Sequence, residues 1–219
     1  MSERMSERLH ELLDDPRLWR AGRRGRHWPT LSSGHPRLDA LLPGGGWPAG
    51  MLTELAVERW GSGELALLMP LLARLSAERT ADASGWIAWI APPFLPYAPA
   101  LAAAGVNLAR MLLVRPRDDA EALWAAEQAL RSGCCRAVLC WVGHADGHAD
   151  GRRLRRLQLA AESGRTPLIL FRPAAALAAP SPAALRLSLD CNAGEPCLRL
   201  VKHRGGAPRS LPIADLDGR

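Results

Sequence analysis

Short apolar runs alternate with helical patterns along most of the chain. Runs bounded by turn residues predict strands over residues 52–57, 86–91, 111–114, 137–142 and 168–171. Apolar residues at helical spacing predict helices between them, over about residues 64–80, 95–104, 118–132 and 150–163. Strands that alternate with helices are typical of an α/β fold, so the pattern predicts a mostly parallel central sheet with helices on both faces.

The two ends of the chain depart from this alternation. Residues 1–13 predict a short amphipathic helix with an apolar side made of Met5, Leu9, Leu12 and Leu13. Near the other end, LRLSLDCNAGEPCLRLVKHR holds two strand-like runs around a turn, which predicts an antiparallel hairpin at the edge of the sheet. Residues 173–184, rich in proline and alanine, predict a surface loop.

Apolar spacing also assigns an inner face to two of the helices. For residues 118–132 the predicted core stripe is Leu123, Ala126, Leu130 and Trp124. For residues 150–163 the predicted inner residues are Leu154, Leu157 and Ala161, with Asp150 as the N-cap. Both helices are therefore expected to lie against the sheet.

Four arginines follow the predicted cap: Arg152, Arg153, Arg155 and Arg156. Cations in the first turns oppose the helix macrodipole at a cost of about 0.3–1 kcal/mol each, so helix stability does not explain them. The spacing directs Arg152, Arg155 and Arg156 outward. One interpretation is contact with DNA or with an acidic partner surface, and the other is a solvated charged face.

The composition limits the classes of function. With 219 residues, 48% of them apolar, the chain can bury one substantial core. It carries 28 Lys+Arg against 22 Asp+Glu, a net charge of +6, and Lys202 is its one lysine. Arginine suits recognition of phosphate and carboxylate groups, although a coding bias toward arginine gives the same count.

Basic residues are concentrated at both ends of the chain. The N-terminal arm interleaves arginines and tryptophans: Arg23, Arg24, Arg26, Trp19 and Trp28. This pattern suits phosphate contacts with base stacking, or a tail that docks its tryptophans on its own domain. The C-terminal basic stretch, with Lys202 and Arg204, either binds nucleic acid or solubilises the end of the domain.

Targeting and metal signals are weak. The first residues are charged and predict no secretory signal, and no stretch reaches the roughly 20 apolar residues of a membrane span, so we expect a cytoplasmic protein without membrane contact. The cysteines form no C-x-x-C pair, which predicts buried reduced thiols at Cys134, Cys135, Cys140, Cys191 and Cys197. The repeated Gly-His-Ala-Asp of residues 143–150 offers metal-ligand types in a flexible loop that fixes no geometry, so no metal is expected.

Residues 58–65 follow a predicted strand where a phosphate-binding loop would begin. The pattern G-x-x-x-x-G-K-[ST] places backbone N–H groups, a lysine and a hydroxyl around phosphates. Anchoring it on Gly63 puts Glu58 at the first glycine, Glu64 at the lysine and Leu65 at the hydroxyl. A carboxylate 4 Å from a phosphate charge is repelled by roughly 4 kcal/mol near a protein surface. We therefore interpret Glu58, Gly61, Ser62, Gly63, Glu64 and Leu65 as a vestigial phosphate loop and expect no cofactor.

The order of features over about residues 36–213 resembles the RecA-type recombinase core. Leu38-Asp39 followed by GGGWPAG, the run from GWIAWIAPP to CWVG, and VKHRGGAPRSLPI carry this resemblance. The resemblance implies a catalytic Glu after the second strand and an Asp at the end of the Walker B strand. Here the chain has Ala91-Pro92-Pro93 and Cys140-Trp141-Val142. With the phosphate loop, three parts of phosphoryl-transfer chemistry are absent, which predicts a protein that is not an enzyme.

Four segments resemble the non-catalytic ImuA family and the related SulA-like proteins: LDALLPGGGWPAGMLTEL, FLPYAPAL, LWAAEQALRSG and RRLRRLQLAAESG. This resemblance implies an accessory factor of SOS-induced translesion synthesis. Its implied partners are an ImuB-like Y-family polymerase homologue, a DnaE-type error-prone polymerase, and possible contacts to DNA and RecA. The alternatives are a SulA-like division inhibitor that binds the bacterial tubulin homologue, and an ATP-binding recombinase-like protein with an unconventional site.

Taken with the resemblance, the patterns divide the chain into three parts. They are an N-terminal helix and basic arm (1–33), a degenerate RecA-like domain (34–213) and a short tail (214–219). Apolar and aromatic patches are the predicted docking surfaces, because aromatic residues dominate interface hot spots. The candidates are the proline-rich segment from Pro92 to Pro99 and the tryptophans Trp19, Trp28, Trp47 and Trp60.

Overall fold

The computed structural model describes residues 29–77, 85–143, 150–192, 195–203 and 209–216. Its helices are α1 (Pro36–Leu41), α2 (Met69–Ala77), α3 (Ala98–Ala103), α4 (Asp119–Arg131) and α5 (Gly151–Gly164). Its strands are β1 (Thr30–Leu31), β2 (Trp47–Pro48), β3 (Leu52–Val57), β4 (Trp86–Ile90), β5 (Met111–Val114), β6 (Cys135–Trp141), β7 (Leu168–Pro173), β8 (Leu185–Asn192), β9 (Glu195–His203) and β10 (Arg209–Pro212). Short 3₁₀ helices cover Leu108–Arg110, Ala174–Ala178 and Ile213–Asp215.

Eight strands form one mixed, mostly parallel sheet in the order β10-β9-β8-β3-β7-β6-β4-β5. The pairs from β8 through β3, β7, β6 and β4 to β5 are parallel. Only the β8–β9 and β9–β10 pairs of this sheet are antiparallel. The antiparallel hairpin predicted at the C-terminal edge is therefore confirmed, and β10 extends it by one strand. A separate two-stranded sheet pairs β1 with β2.

Helices cover both faces of the sheet, and each face has its own apolar core. On one face, Leu71, Leu72 and Leu75 of α2 pack with side chains such as Leu55 of β3. On the other, Leu123, Ala126 and Leu130 of α4 and Leu154, Leu157 and Ala161 of α5 pack with residues such as Leu52. Every residue of β3 is buried, as expected for a central strand covered on both sides.

The strand predictions agree closely with the structure. Strands 52–57 and 111–114 have the predicted bounds, and 86–91, 137–142 and 168–171 differ from the observed strands by one or two residues at their ends. The last helices are equally close, with α4 at Asp119–Arg131 and α5 at Gly151–Gly164.

Helix α2 begins later than the predicted helix at residues 64–80. Residues 64–68 form turns, in which the N–H of Ala66 donates to the carbonyl of Gly63 at 3.0 Å and that of Leu68 to Leu65 at 2.9 Å. The helix then begins at Met69. Pro70 lies in its first turn, where a missing N–H costs nothing because first-turn N–H groups have no intrahelical partner.

Four further predictions are wrong. Trp124 is 60% exposed and is not part of the core stripe of α4, because it lies about 100° around the helix from Leu123. Trp47 is fully buried in the core and offers no docking surface. Cys134 is exposed just before β6, and Cys135 and Cys197 are half-buried, whereas Cys140 is a buried free thiol as predicted. Residues 173–184 are not only a surface loop, since Ala183 and Ala184 are buried.

Within the described ranges, none of the helices has the length and apolar character needed to cross a membrane. The same part of the chain holds no group of three or more His, Cys, Asp or Glu side chains placed to share a metal ion. The predicted N-terminal helix and the Gly-His-Ala-Asp repeat over residues 144–149 lie outside the described residues.

Candidate functional site

The loop after β3 lies at the carboxyl edge of the parallel strands, where α/β proteins bind ligands. Two of its glycines have positive φ angles, Gly61 at 82° and Gly63 at 101°. Inside the loop, the hydroxyl of Ser62 donates to the carbonyl of Arg59 at 2.9 Å. Because α2 begins only at Met69, the loop does not lead directly into a helix N-terminus as a phosphate loop does.

Glu64 folds back into this loop. Its side chain is buried, and its Oε1 atom accepts the backbone N–H of Gly61 at 2.8 Å. Its Oε2 atom is buried and has no hydrogen-bond partner among the described residues. A backbone N–H that could face an anion is thus already bonded to a negatively charged side chain of the same loop.

Neither β4 nor β6 itself ends in a carboxylate residue, although the Asp119 side chain of α4 reaches the end of β6. Strand β4 ends at Ile90, and the next residue, Ala91, has a φ of 54°, a left-handed conformation that is uncommon outside glycine. In β6, Trp141 stacks between Trp89 and Phe171, with ring centroids 5.7 Å and 4.3 Å apart. The end of β6 thus carries an apolar aromatic stack in place of a metal-binding Asp.

A cleft of about 380 Å³ opens beyond the ends of β4 and β5. It is lined by apolar, cationic and acidic residues: Ala91, Pro92, Pro93, Phe94, Leu95, Arg115, Pro116, Arg117, Asp118 and Asp119. Phe94, Leu95 and Tyr97 are among the exposed large apolar side chains. We call residues 92–97 the apolar segment. Phe94 also lies near the loop, since its Cε2 is 3.5 Å from the position of a Cβ added at Gly61.

Three carboxylates fix the N-terminus of α4 beside this cleft. Asp118 accepts the N–H of Glu121 at 2.8 Å as the N-cap. Glu121 accepts the N–H of Arg117 at 2.7 Å, and that N–H, followed by the Arg117 guanidinium, lowers the pKa of Glu121. Asp119 accepts the N–H of Gly143 at 2.7 Å, which links α4 to the end of β6.

The arginines of α5 lie outward, as predicted. Asp150 caps the helix by accepting the N–H of Arg153 at 2.7 Å. Arg152, Arg153, Arg155 and Arg156 are all exposed. Arg156 forms an ion pair with Glu127 of α4 at 2.6 Å, and Arg131 forms one with the same carboxylate at 2.9 Å. Within the described part of the chain, the other three arginines of this group have no ion-pair or side-chain hydrogen-bond partner.

A buried ionic cluster was not predicted from the sequence. Glu54 of β3 accepts from Arg172 at 3.1 Å, from Arg186 at 2.7 Å and from the Ser181 hydroxyl at 2.9 Å. Arg186 also donates to the carbonyls of Ala176 and Ala179. The available signal was charged residues inside buried strand patterns, LTELAV, LILFRP and LRLSL. The cluster holds the 3₁₀ helix Ala174–Ala178 against the sheet.

The structure places the predicted site residues in two separate groups. One is the loop Glu58–Leu65 after β3, and the other is Arg152–Arg156 in the first turns of α5. Arg23, Arg24, Arg26 and Arg204 lie outside the described residues, as do Trp19 and Trp28. Lys202 lies in β9, and its side chain is not described. Partner or DNA contact by these basic ends therefore stays a prediction.

Comparison with known proteins relates the chain to two groups. The family model "Cell division inhibitor SulA" matches residues 50–167, more than half of the chain. Protein ImuA of Caulobacter vibrioides is 34% identical over 138 residues, which cover 61% of this chain and 53% of that protein. SulA of Edwardsiella piscicida is 37% identical over 109 residues, covering 50% of this chain and 60% of its own. The chain thus spans about half the length of the ImuA relatives it matches.

A solved structure gives a further likeness. The crystal structure of SulA from Pseudomonas aeruginosa is 31% identical in sequence, covers 57% of this chain and 99% of its own, and superposes with a TM-score of 0.44.

Proposed function

The chain belongs to the SulA family, and from its similarity to Protein ImuA we propose that it is a non-catalytic accessory protein of the SOS response that acts in translesion synthesis in the cytoplasm. Its proposed partners are an ImuB-like Y-family polymerase homologue and a DnaE-type error-prone polymerase, with RecA and DNA as further contacts. The accessory role is preferred to division inhibition because similarity to ImuA extends over 138 residues and that to the SulA relative of Edwardsiella over 109.

The observation that carries the non-catalytic part is the position of Glu64. Its buried side chain accepts the N–H of Gly61, so a phosphate approaching the loop would find that donor already occupied by an acidic residue. Ala91 follows β4, and Val142 and Gly143 follow β6, so the chain positions expected for the catalytic base and the metal ligand carry no carboxylate. The Asp119 carboxylate that reaches the end of β6 from α4 is bonded to the Gly143 N–H. The RecA-like domain would then serve as a rigid frame for docking.

Partner capture tests the proposal. The tagged full-length chain is expected to retain the purified ImuB-like and DnaE-type proteins, and a variant without residues 1–28 shows whether the arm contributes. Failure of both forms to bind either partner would overturn the accessory role.

The apolar segment is the proposed docking surface within the domain. Phe94→Ser combined with Tyr97→Ser is expected to weaken capture at least tenfold, since exposed aromatic residues are the usual interface anchors. Leu108→Ser, which removes an exposed apolar side chain outside the apolar segment, is the control. Equal loss in both variants would refute this assignment.

Division inhibition is the second candidate, supported by the family model and the SulA relatives. Overexpression separates the two functions. Filamentous cells with unchanged damage-induced mutation would favour an inhibitor of the bacterial tubulin homologue, whereas altered mutation with normal division would favour the accessory protein.

An ATP-binding protein with an unconventional site is the third candidate. Ligand binding to the native state raises the melting temperature by mass action. We expect millimolar Mg²⁺-ATP to leave the melting temperature unchanged. A rise that disappears in Gly63→Val would reinstate nucleotide binding.

A further inference from the structure

We propose that the outer face of α4 and α5 binds a single-stranded polynucleotide, with arginines of α5 on its phosphates and Trp124 stacked on a base. We call this surface the α4–α5 face; it comprises Trp124, Arg152, Arg153, Arg155 and Leu159. The inference deepens the proposed function. It rests on that function for where the single-stranded polynucleotide comes from, whereas the chemistry of the surface stands by itself.

The charge of the face is cationic and mostly uncompensated. Arg152, Arg153 and Arg155 have no ion-pair partner in the described ranges. The Glu127 carboxylate is buried and shared by Arg131 and Arg156, so two cations neutralise one anion. The nearby acids are each engaged: Asp150 caps α5, Glu162 lies two helical turns beyond Arg155 and accepts from Gln158, and Glu121, one turn before Trp124, is paired with Arg117.

The arginines are arranged along one ridge. Arg152 and Arg155 or Arg156 lie about one helical turn apart, close to 5 Å along the axis. They also occupy the first turns of α5, where the helix dipole adds positive potential. An extended chain of negative charges can therefore meet several arginines at once, which is the usual source of affinity for nucleic acids.

Trp124 lies beside these arginines. The ion pair between Glu127 of α4 and Arg156 of α5, with an N···O distance of 2.6 Å, shows which turns of the two helices are adjacent. Trp124 precedes Glu127 by three residues, Arg153 precedes Arg156 by three, and both helices cross between parallel strands and so run in the same direction. The indole, 60% exposed, therefore lies across the groove from the first turn of α5.

A polynucleotide fits this surface better than a protein does. A stable protein interface buries about 800 Å² on each partner around an apolar core that is depleted in charge. Among the described residues of α4 and α5, Trp124 and Leu159 are the exposed large apolar side chains, and the cations around them outnumber both. One exposed aromatic ring among arginines is instead the arrangement that stacks a base and holds its phosphates.

Binding of labelled oligonucleotides to the full chain tests the inference. Fluorescence anisotropy with an oligothymidylate of roughly 20 nucleotides is followed over a range of salt concentrations. Trp124→Ala is expected to weaken binding about tenfold, the scale for removing one stacked base, while Trp124→Phe retains most of it. Arg152→Ala combined with Arg155→Ala is expected to flatten the salt slope by roughly 0.7 for each phosphate that is no longer neutralised.

The matched control is Arg37→Ala combined with Arg59→Ala, which removes the same charge from exposed positions outside α4 and α5. Its salt slope should equal that of the unchanged chain. Both double variants are expected to melt normally, since Arg152 and Arg155 have no ion-pair partners in the described ranges. The same titration with an oligouridylate distinguishes binding of DNA from binding of RNA. Tighter binding of either one supports the proposal.

Three results would overturn it. They are no binding of either strand at low salt, equal slopes and affinities for the two double variants, or duplex binding that matches the single strand and is insensitive to Trp124→Ala. Loss of protein capture in the α5 double variant with unchanged strand binding would also overturn it, in favour of a protein surface. If the Arg152→Ala/Arg155→Ala variant still captures the polymerase partners but no longer binds the oligonucleotide, the inference is supported and the proposed function is unaffected.

Discussion

Glu54 lies in the middle of a buried strand, where an ionised carboxylate requires cationic partners. Arg172 and Arg186 supply them, and Arg186 distributes its remaining donors to the carbonyls of the covering 3₁₀ helix. Removing one partner of such a cluster leaves a buried charge without compensation, which is far more costly than losing a surface pair.

Arg186→Leu is therefore expected to reduce the free energy of unfolding by about 3–5 kcal/mol, measured by urea denaturation. Arg199→Ala is the control, because the Arg199–Asp190 pair on the adjacent strand is partly exposed, at 2.8 Å. Its cost should not exceed about 1 kcal/mol. Equal costs for the two variants would show that the Glu54 cluster does not stabilise the sheet.

The thiols differ in exposure and therefore in reactivity. Burial raises the pKa of Cys140 strongly, and the carboxylate of Asp119 adds to this effect. Burial also raises the pKa of Cys135, while Cys134 is exposed. Because the thiolate is the reactive form, alkylation of the native protein at about pH 8 should label Cys134 first and leave Cys140 unlabelled until unfolding. Mass spectrometry of the peptides checks the order, and early labelling of Cys140 would contradict its burial.

At the scale of elements, the N-terminus of α4 depends on short-range carboxylate contacts. Asp118→Ala removes the acceptor for the Glu121 N–H and should cost about 1 kcal/mol, whereas Asp118→Ser retains a cap. Thermal unfolding of the two variants measures the difference. Identical melting temperatures would show that the cap is dispensable.

The Glu121 carboxylate adds a pH dependence to this helix start. Its pKa is lowered, first by the Arg117 N–H and then by the Arg117 guanidinium. A lowered folded-state pKa gives stability that is present above the unfolded pKa and is lost as pH falls through the folded value. Glu121→Gln should therefore lower the melting temperature at neutral pH and make little difference at strongly acidic pH. An equal effect at both pH values would contradict the contact.

The element boundaries show which signals a sequence carries. Strands such as residues 52–57 were predictable because turn residues bound a continuous apolar run. The late start of α2 was not, because the folding back of Glu64 and the position of Pro70 decide it together. Trp124 was misassigned because a large apolar residue next to a core stripe was counted in it, although only its angle around the helix decides burial.

At the scale of the whole molecule, the α/β class and the C-terminal hairpin followed from the pattern, but the strand order did not. Periodicity shows which residues of a strand are buried, and it does not show which strand lies beside it. The same limit concealed the Glu54 cluster, because both of its arginines lie more than 100 residues from Glu54 along the chain. Of the candidate site, the loop composition and the outward arginines of α5 were predictable, and the contacts of Glu64 and Glu127 were not.

The β5 edge of the sheet exposes apolar side chains. Strand β5 is the last strand at one end, and its residues Leu112 and Leu113 are both exposed. An uncharged apolar edge is a template for pairing between molecules, and a lysine there opposes it. Leu112→Lys should therefore reduce concentration-dependent light scattering, with Leu95→Lys as a control of equal charge away from the strand. Unchanged scattering in Leu112→Lys would contradict this edge as the contact.

Gly143 and Asp150, the two residues that flank residues 144–149, are each held by a hydrogen bond to a described part of the fold. Asp119 fixes Gly143, whose backbone also passes so close to Pro173 that an added Cβ would lie 2.5 Å from its ring, and Asp150 is fixed through the Arg153 N–H. Since doubling a loop's length costs only about 0.6 kcal/mol, this position suits the insertion of a fluorescent or affinity tag. Such a reporter would sit beside the α4–α5 face without disturbing the sheet, and it would let binding be followed inside living cells.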